Sequence, residues 1–335
     1  MKWTLLTRLS AAHLLARMCC LCLSTSHLRV PFSRAHRYTV LADLGTHHAA
    51  TRLQALHGQP LASMRTLMQF NGRLSGGTMA TGILLDNADA STQAIRRDPF
   101  ALGGAPPAGS EGASSHADPI SAEYDNDLGC WTAPFWMADI DSRVVRRSSG
   151  LFRQAASSPF ADAFCYRERA LAADESVAIN MAKSVNPPVE KREMMVKRGR
   201  LPSPGQGPSE EVRAKSWFRL FYWSEAADTS ALLTSVEGGD PGYEETSKMV
   251  SEAAILLATR RDELPAARMT RRLANGASGH GGMLTPAFAL GGALVDALDV
   301  RGLSFEEHAV VDAGSMREAA AQALREHAAK PRTQL

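Results

Sequence analysis

The sequence predicts an α+β fold in which a mixed or antiparallel sheet is packed by helices. Three observations carry this. The chain has 335 residues and is 44% hydrophobic, enough to bury a core in one large domain or two smaller ones. Two strand-like runs, Ser216–Trp223 (SWFRLFYW) and Ala231–Val236 (ALLTSV), flank a short polar loop and read as a β-hairpin. A glycine-rich turn with a capping aspartate follows the hairpin and leads into a helix with an apolar stripe.

In chain order, Asp43 is read as the cap of a helix through Leu44, Ala49, Leu53 and Leu56, which Gly58 and Pro60 end. Leu61–Phe70 holds β-compatible apolar residues and is read as a strand. Ser75-Gly76-Gly77-Thr78 is a tight turn, and a helix is expected from Met79 to about Ile95, closed by Asp98-Pro99. Residues 99–129 are rich in Gly, Ala, Pro and Ser. Such a stretch buries too little apolar surface to offset its ordering entropy, so it is expected to be a long loop or flexible insertion. Ser157–Val185 reads as helical, with Phe160, Phe164 and Leu171 among its apolar positions, and Gly199–Pro208 as a second break. After the hairpin, Asp240 suits an N-cap and Pro241 a first helical position. The helix they open runs from about Tyr243 to Ala258, with Met249, Val250, Ala253, Leu256 and Leu257 as its buried stripe. Gly281-Gly282-Met283-Leu284-Thr285-Pro286 begins a small-residue helix to about Leu298, and Met316–His327 an alanine-rich terminal helix.

Composition narrows the function classes. Charged residues are 21% of the chain and the formal net charge is +2, which gives no global field for nucleic acid. Aromatic residues are 6%, with no basic stripe interleaved with stacking rings, so no nucleic-acid partner is expected. Cys19, Cys20, Cys22, Cys130 and Cys165 form neither an even, spaced disulfide framework nor paired C-x-x-C knuckles. They read as reduced cysteines of an intracellular protein, and no metal site is expected. No run reaches the roughly 20 apolar residues of a membrane span. The first 42 residues contain no Asp or Glu, while Lys2, Arg8, Arg17, Arg29, Arg34 and Arg37 punctuate them. They read as a disordered or mitochondrial transit-like leader.

Two glycine turns invite a phosphate-binding reading. Gly238, Gly239 and Gly242 lie between a strand and a helix, but the spacing departs from G-x-G-x-x-G. Asp240 also puts a carboxylate where the helix N-terminus would hold phosphate, so Gly238, Gly239, Asp240, Pro241 and Gly242 are assigned a structural role. Ser75, Gly76, Gly77 and Thr78 allow close backbone approach at a helix entry and are candidates on the substrate side. Tyr243, Lys248 and Thr285 join them, Tyr243 and Lys248 as acid or electrostatic helpers. No H-E-x-x-H motif pairs any of the histidines, among them His47, His48, His57, His280 and His308, and no catalytic residue is assigned.

The ordered series of motifs resembles the saccharopine dehydrogenase-like oxidoreductases, a family that includes the trans-acting enoyl reductases. The match is carried chiefly by Val236-Glu237-Gly238-Gly239-Asp240-Pro241-Gly242-Tyr243 with Thr246, Lys248 and Met249. Gly281-Gly282-Met283-Leu284-Thr285-Pro286-Ala287 and Arg301-Gly302-Leu303-Ser304-Phe305 follow it. Asp43-Leu44-Gly45, Ser75-Gly76-Gly77-Thr78, Ser142-Arg143-Val144-Val145-Arg146-Arg147 and Leu201–Gly205 through Gly207-Pro208 precede it in the same order.

The resemblance implies an α+β substrate domain that follows a nucleotide-binding Rossmann domain, and hydride transfer from NAD(P) to lipid or polyketide double bonds. It also implies a lipid or acyl substrate and a cytoplasmic, lipid-droplet or peripheral membrane location. Here the family's opening glycine-rich βα units have no counterpart before Asp43. The expected organisation is a non-matching leader over 1–42, the substrate domain over 43–310 and a C-terminal helix and tail over 311–335. On this reading the chain binds no NAD(P) alone and is inactive alone. The alternatives are a non-catalytic lipid- or partner-binding module and a nonfunctional gene fragment. An apolar face on the helices over Leu44–Leu56 and Ala287–Leu298 is expected to await a Rossmann-domain partner or self-association.

Overall fold

The computed structural model describes residues 37–73, 75–108, 116–155, 158–185, 187–265, 284–311, 322 and 324–326. Seven strands form one sheet: β1 (Leu61–Asn71), β2 (Glu123–Asp125), β3 (Cys130–Pro134), β4 (Phe160–Ala172), β5 (Trp217–Ala226), β6 (Ala231–Gly238) and β7 (Ser304–Val311). Their order is β2-β3-β4-β1-β5-β6-β7. Only β1 and β4 pair in parallel. The sheet is therefore mixed, as expected for the α+β class. The hairpin stands as β5 and β6, its turn closed by Asp228, whose carboxylate accepts from the Ser230 backbone N–H at 3.0 Å.

Residues directly opposed on neighbouring strands share a sheet face. Glu168, Thr66, Tyr222 and Thr234 thus stand in one row across β4, β1, β5 and β6. Helix α1 (Arg37–His57) lies over this face, with the Tyr222 hydroxyl donating to the Leu41 carbonyl at 2.8 Å. The Tyr222 ring fills the space that a Cβ at Gly45 would occupy, which accounts for a glycine inside a long helix. Leu41, Leu44 and Leu53 join Met64, Leu220, Leu232 and Phe288 in the main core. On the opposite face Leu67, Phe221, Trp223 and Leu233 pack with Leu128 and Leu324.

Several elements differ from their sequence reading. Asp43 does not start its helix, since α1 begins at Arg37 and Asp43 sits buried within it. The helix expected over Met79–Ile95 is two, α2 (Gly76–Asp86) and α3 (Ala90–Arg97). Asn87-Ala88-Asp89 interrupts them, and Asp89 caps α3 by accepting from the Thr92 N–H at 2.8 Å. Ser157–Val185 is not one helix: Phe160–Ala172 is β4, and only Glu175–Val185 is helical. A spacing of four residues, as between Phe160 and Phe164, keeps one face in a helix and in a strand alike.

Helix α4 (Ala138–Gln154) carries the arginines of the S-R-V-V-R-R stretch. They hold the described parts of the segment over 99–129. Arg146 donates to the carbonyls of Pro99 and His116, and Arg147 to that of Leu102. Arg153 reaches Gly104 and Ala105, and Arg143 grips Asp118 with both guanidinium nitrogens. Gly104, at φ +87°, lies so close to Arg146 and Gly150 that a side chain would overlap the helix backbone.

Helices α5 (Glu175–Val185), α6 (Val189–Lys197) and α7 (Glu210–Ala214) precede the hairpin, and α8 (Glu244–Thr259) follows it. The small-residue helix is broken at Gly291, φ +52°, into α9 (Pro286–Leu290) and α10 (Gly292–Val300). Leu44, Leu53, Phe288, Leu294 and Leu298 are each at most 1% exposed within this chain's own core. Leu56, near the end of α1, is by contrast 44% exposed. Gly281–Met283, His280, the leader before Arg37 and most of the terminal helix lie outside the described residues.

Candidate functional site

Motifs far apart in sequence converge at one end of the sheet. Asn71 at the end of β1 pairs with Trp217 at the start of β5, and Phe218 pairs with Gly238 at the end of β6. The turns after β1 and β6 therefore emerge side by side. Ser75 caps α2, its hydroxyl oxygen accepting from the Thr78 N–H at 3.2 Å. Gly76 donates its N–H to the Gln206 carbonyl at 2.9 Å. A Cβ at Gly76 would overlap the Ser203 carbonyl, and one at Gly207 would overlap the Tyr243 hydroxyl. The loop over 203–208 is thus wedged between the Ser75–Thr78 turn and the Gly238–Tyr243 turn.

The second turn is closed by its own carboxylates. Asp240 accepts from the Tyr243 N–H at 2.6 Å, and Glu245 accepts from the Gly239 N–H at 2.7 Å. Asp240 closes the turn rather than capping the helix, since α8 begins at Glu244 with Tyr243 as its N-cap residue, and Pro241 and Gly242 lie in the turn before it. Lys248 pairs with Glu245 at 2.9 Å, and the Arg213 guanidinium lies 5.8 Å from the Tyr243 ring centroid. Beside them, Arg219 grips Glu237 with two nitrogens.

Thr285 belongs to a different cluster. Its hydroxyl lies 2.5 Å from the Ser148 hydroxyl, which is 2.5 Å from an Asp43 oxygen. Ser148 has one proton, so it donates to Asp43 and accepts from Thr285. The other Asp43 oxygen accepts from the Ala287 N–H at 2.8 Å. Asp43 therefore does cap a helix end, that of α9. Burial raises its carboxyl to about 7 against the lowering pull of Ser148 and Ala287.

The sequence reading missed a third cluster. Asp141 of α4 and Glu168 of β4 are both at most 1% exposed, with carboxyl pKa values raised by burial. Thr39 bonds one Asp141 oxygen, and Tyr166 bonds one Glu168 oxygen at 3.2 Å. Thr39 and Asp141 are 102 residues apart, beyond any local signal. β4 also carries Asp162, Arg167 and Arg169, so the cue for Glu168 is its alternation with the two flanking arginines, which puts it on the same strand face as Phe164 and Tyr166.

Neither glycine turn fits a dinucleotide pyrophosphate. At Gly238–Tyr243 the protein's own carboxylates take the N–H groups that an anion would need, and at Gly76 the loop over 203–208 fills the approach. Among the described residues, no group of three or more His, Cys, Asp or Glu side chains could hold a metal ion. No described helix is long and apolar enough to cross a membrane.

The chain is similar to mycobacterial proteins. It is 30% identical over 254 residues to a Mycobacterium tuberculosis protein named as a trans-acting enoyl reductase, covering 71% of this chain and 57% of that protein. It is 24% identical over 285 residues to the trans-acting enoyl reductase of Mycobacterium ulcerans, covering 79% of this chain and 64% of that protein. With the trans-acting enoyl reductase of Mycobacterium bovis it shares 24% identity over 256 residues, 71% of this chain and 57% of that protein. The chain thus spans between 57% and 64% of the length of these relatives. No family model and no solved structure matches it.

Proposed function

We propose that the chain is an enoyl reductase-like protein of the trans-acting kind, within the saccharopine dehydrogenase-like oxidoreductases, and that it forms the substrate side of the reaction. The substrate class is a lipid- or polyketide-type enoyl group, reduced by hydride from a nicotinamide cofactor. The observation that carries this reading is the 30% identity over 254 residues to a relative of that name. The convergence of Ser75–Thr78, the loop over 203–208 and Tyr243–Lys248 at one sheet end supports it, because sites in two-layer folds gather where loops from several strands meet. In this reading the hydride donor's pyrophosphate sits at neither described glycine turn, and the chain's own residues orient the acyl group. The two self-filled turns favour, as a second reading, a non-catalytic module that binds acyl or protein partners.

The test uses the full chain with a 2-enoyl thioester and its saturated counterpart, with reduced nicotinamide absorbance followed in parallel. Saturable binding of the enoyl thioester in preference to the saturated one is expected. Equal binding of both would support the second reading. No binding of either at about 1 mM, weaker than about −4 kcal/mol, would sink the first reading and the acyl-binding form of the second.

A further inference from the structure

Two buried carboxyls, one on α4 and one on the helix-covered face of β4, have no cation partner among the described residues. Asp141 stands in the first turn of α4, and Glu168 stands on β4 in the row with Thr66 and Tyr222. Asp141 is reached from α1 by the Thr39 hydroxyl, and Glu168 from its own strand by the Tyr166 hydroxyl. Each carboxyl has a second oxygen, Oδ2 of Asp141 and Oε1 of Glu168, that is buried without a hydrogen-bond partner among the described residues. The groups that face the pair are themselves acidic or neutral. Asp139 adds a like charge from α4, and Tyr166 and Tyr222 present phenols from β4 and β5. Asp43, on α1, lies near enough to act on Tyr222. Arg146, also on α4, donates through Nη1 and Nη2 to the backbone carbonyls of Tyr166, Pro99 and His116, and its buried Nε has no hydrogen-bond partner among the described residues.

Two like charges cannot both stay ionised in a dry interior without a counter-ion. We propose that Asp141 and Glu168 hold at least one proton between them and form an alkaline-sensitive latch that keeps α1 and α4 on the sheet. Protonation removes the repulsion and turns one carboxyl into a donor for a buried oxygen. Its loss leaves two negative groups buried where the helices meet the sheet, with one hydrogen bond to each, from Thr39 and from Tyr166. The sign follows directly. The folded carboxyls hold protons above their ordinary range, because burial and mutual repulsion disfavour the charged forms. Stability from the latch is therefore full in acid and is lost as pH rises through the folded titration.

The experiment is urea unfolding of the full chain across pH, in an Asp43→Asn background that silences the buried carboxyl of α1, with amide exchange read in parallel. The unfolding constant is expected to rise by about tenfold per pH unit for each proton lost, on the alkaline side of the carboxylate range. Exchange protection is expected to fall first in α1 and α4 while the β5–β6 hairpin holds. Glu168→Gln should remove about one tenfold step per unit of that rise and keep the two helices protected in alkali. If Glu168→Gln does not fold, carboxyl carbon shifts of the unsubstituted chain decide the matter. Asp141 or Glu168 titrating above about pH 6 supports the latch, and both titrating below about pH 5 overturns it. A pH-independent unfolding constant would also overturn it. So would abolition of the pH dependence by about 1 mM calcium or magnesium, which would make the oxygen pair a hard-cation site.

Discussion

Replacing Asp43 with Asn tests the buried junction between α1, α4 and α9. The carboxyl is fully buried and its pKa is raised from 3.8 to about 7, so folding takes up a proton between those values. Stability contributed by this group is full below about pH 4, falls as pH rises and levels off above about pH 7. The span of about 3 pH units, at about 1.4 kcal/mol each, gives a penalty of about 4 kcal/mol for the ionised wild-type group, as an upper bound. Asn keeps the geometry. Its oxygen accepts from the Ala287 N–H, and its amide donates to Ser148, whose proton then turns to Thr285. Asp43→Asn is therefore expected to match the wild type or fall slightly below it near pH 4–5, and to exceed it by about 1–4 kcal/mol near pH 8. Chemical denaturation of both proteins across pH measures this. Taking the difference cancels titrations common to the two, Asp141 and Glu168 included. A difference that does not change with pH, or a variant less stable than wild type near pH 8, would show that the carboxylate is stabilised in place by something other than Ser148 and Ala287.

Four further outcomes follow from the geometry. Asp240→Ala removes the oxygen that accepts from the Tyr243 N–H and should cost about 0.5–2 kcal/mol in thermal or urea unfolding. Gly76→Ala drives a methyl group into the Ser203 carbonyl and should cost about 1–3 kcal/mol, with changed environments for the loop over 203–208 visible by NMR. Tyr222→Phe leaves the buried Leu41 carbonyl without this donor and should cost about 0.5–1.5 kcal/mol, a loss to be compared with a distant surface substitution. Arg153→Met removes the donors to Gly104 and Ala105, and proteolysis should then open the segment near residues 104–105 ahead of the core.

Much of the frame was legible in the residues. The hairpin is set by two apolar runs around a polar turn, and Asp240 closes the turn after β6 because its side chain satisfies a backbone N–H only three residues away. Gly58 ends α1 at φ +70°, as a glycine after an apolar helix should. The α+β class follows from these local signals, and the glycine turn after β6 already announced that its own carboxylate fills it.

What needed the tertiary structure is whatever depends on a distant partner. Asp43 has the chemistry of a cap, but the helix end it serves is 244 residues away, so the sequence marks the donor-seeking oxygen and not its target. Phe160–Ala172 is a strand because β1 and β3 lie on either side to take its backbone hydrogen bonds, a pairing that its own i, i+4 apolar spacing does not distinguish from a helix. The meeting of Ser75–Thr78 with Tyr243, the separation of Thr285 from both, and the Asp141–Glu168 latch have the same origin. Local propensity decides which turns and caps can form, and only closure of the sheet decides which of them end up touching.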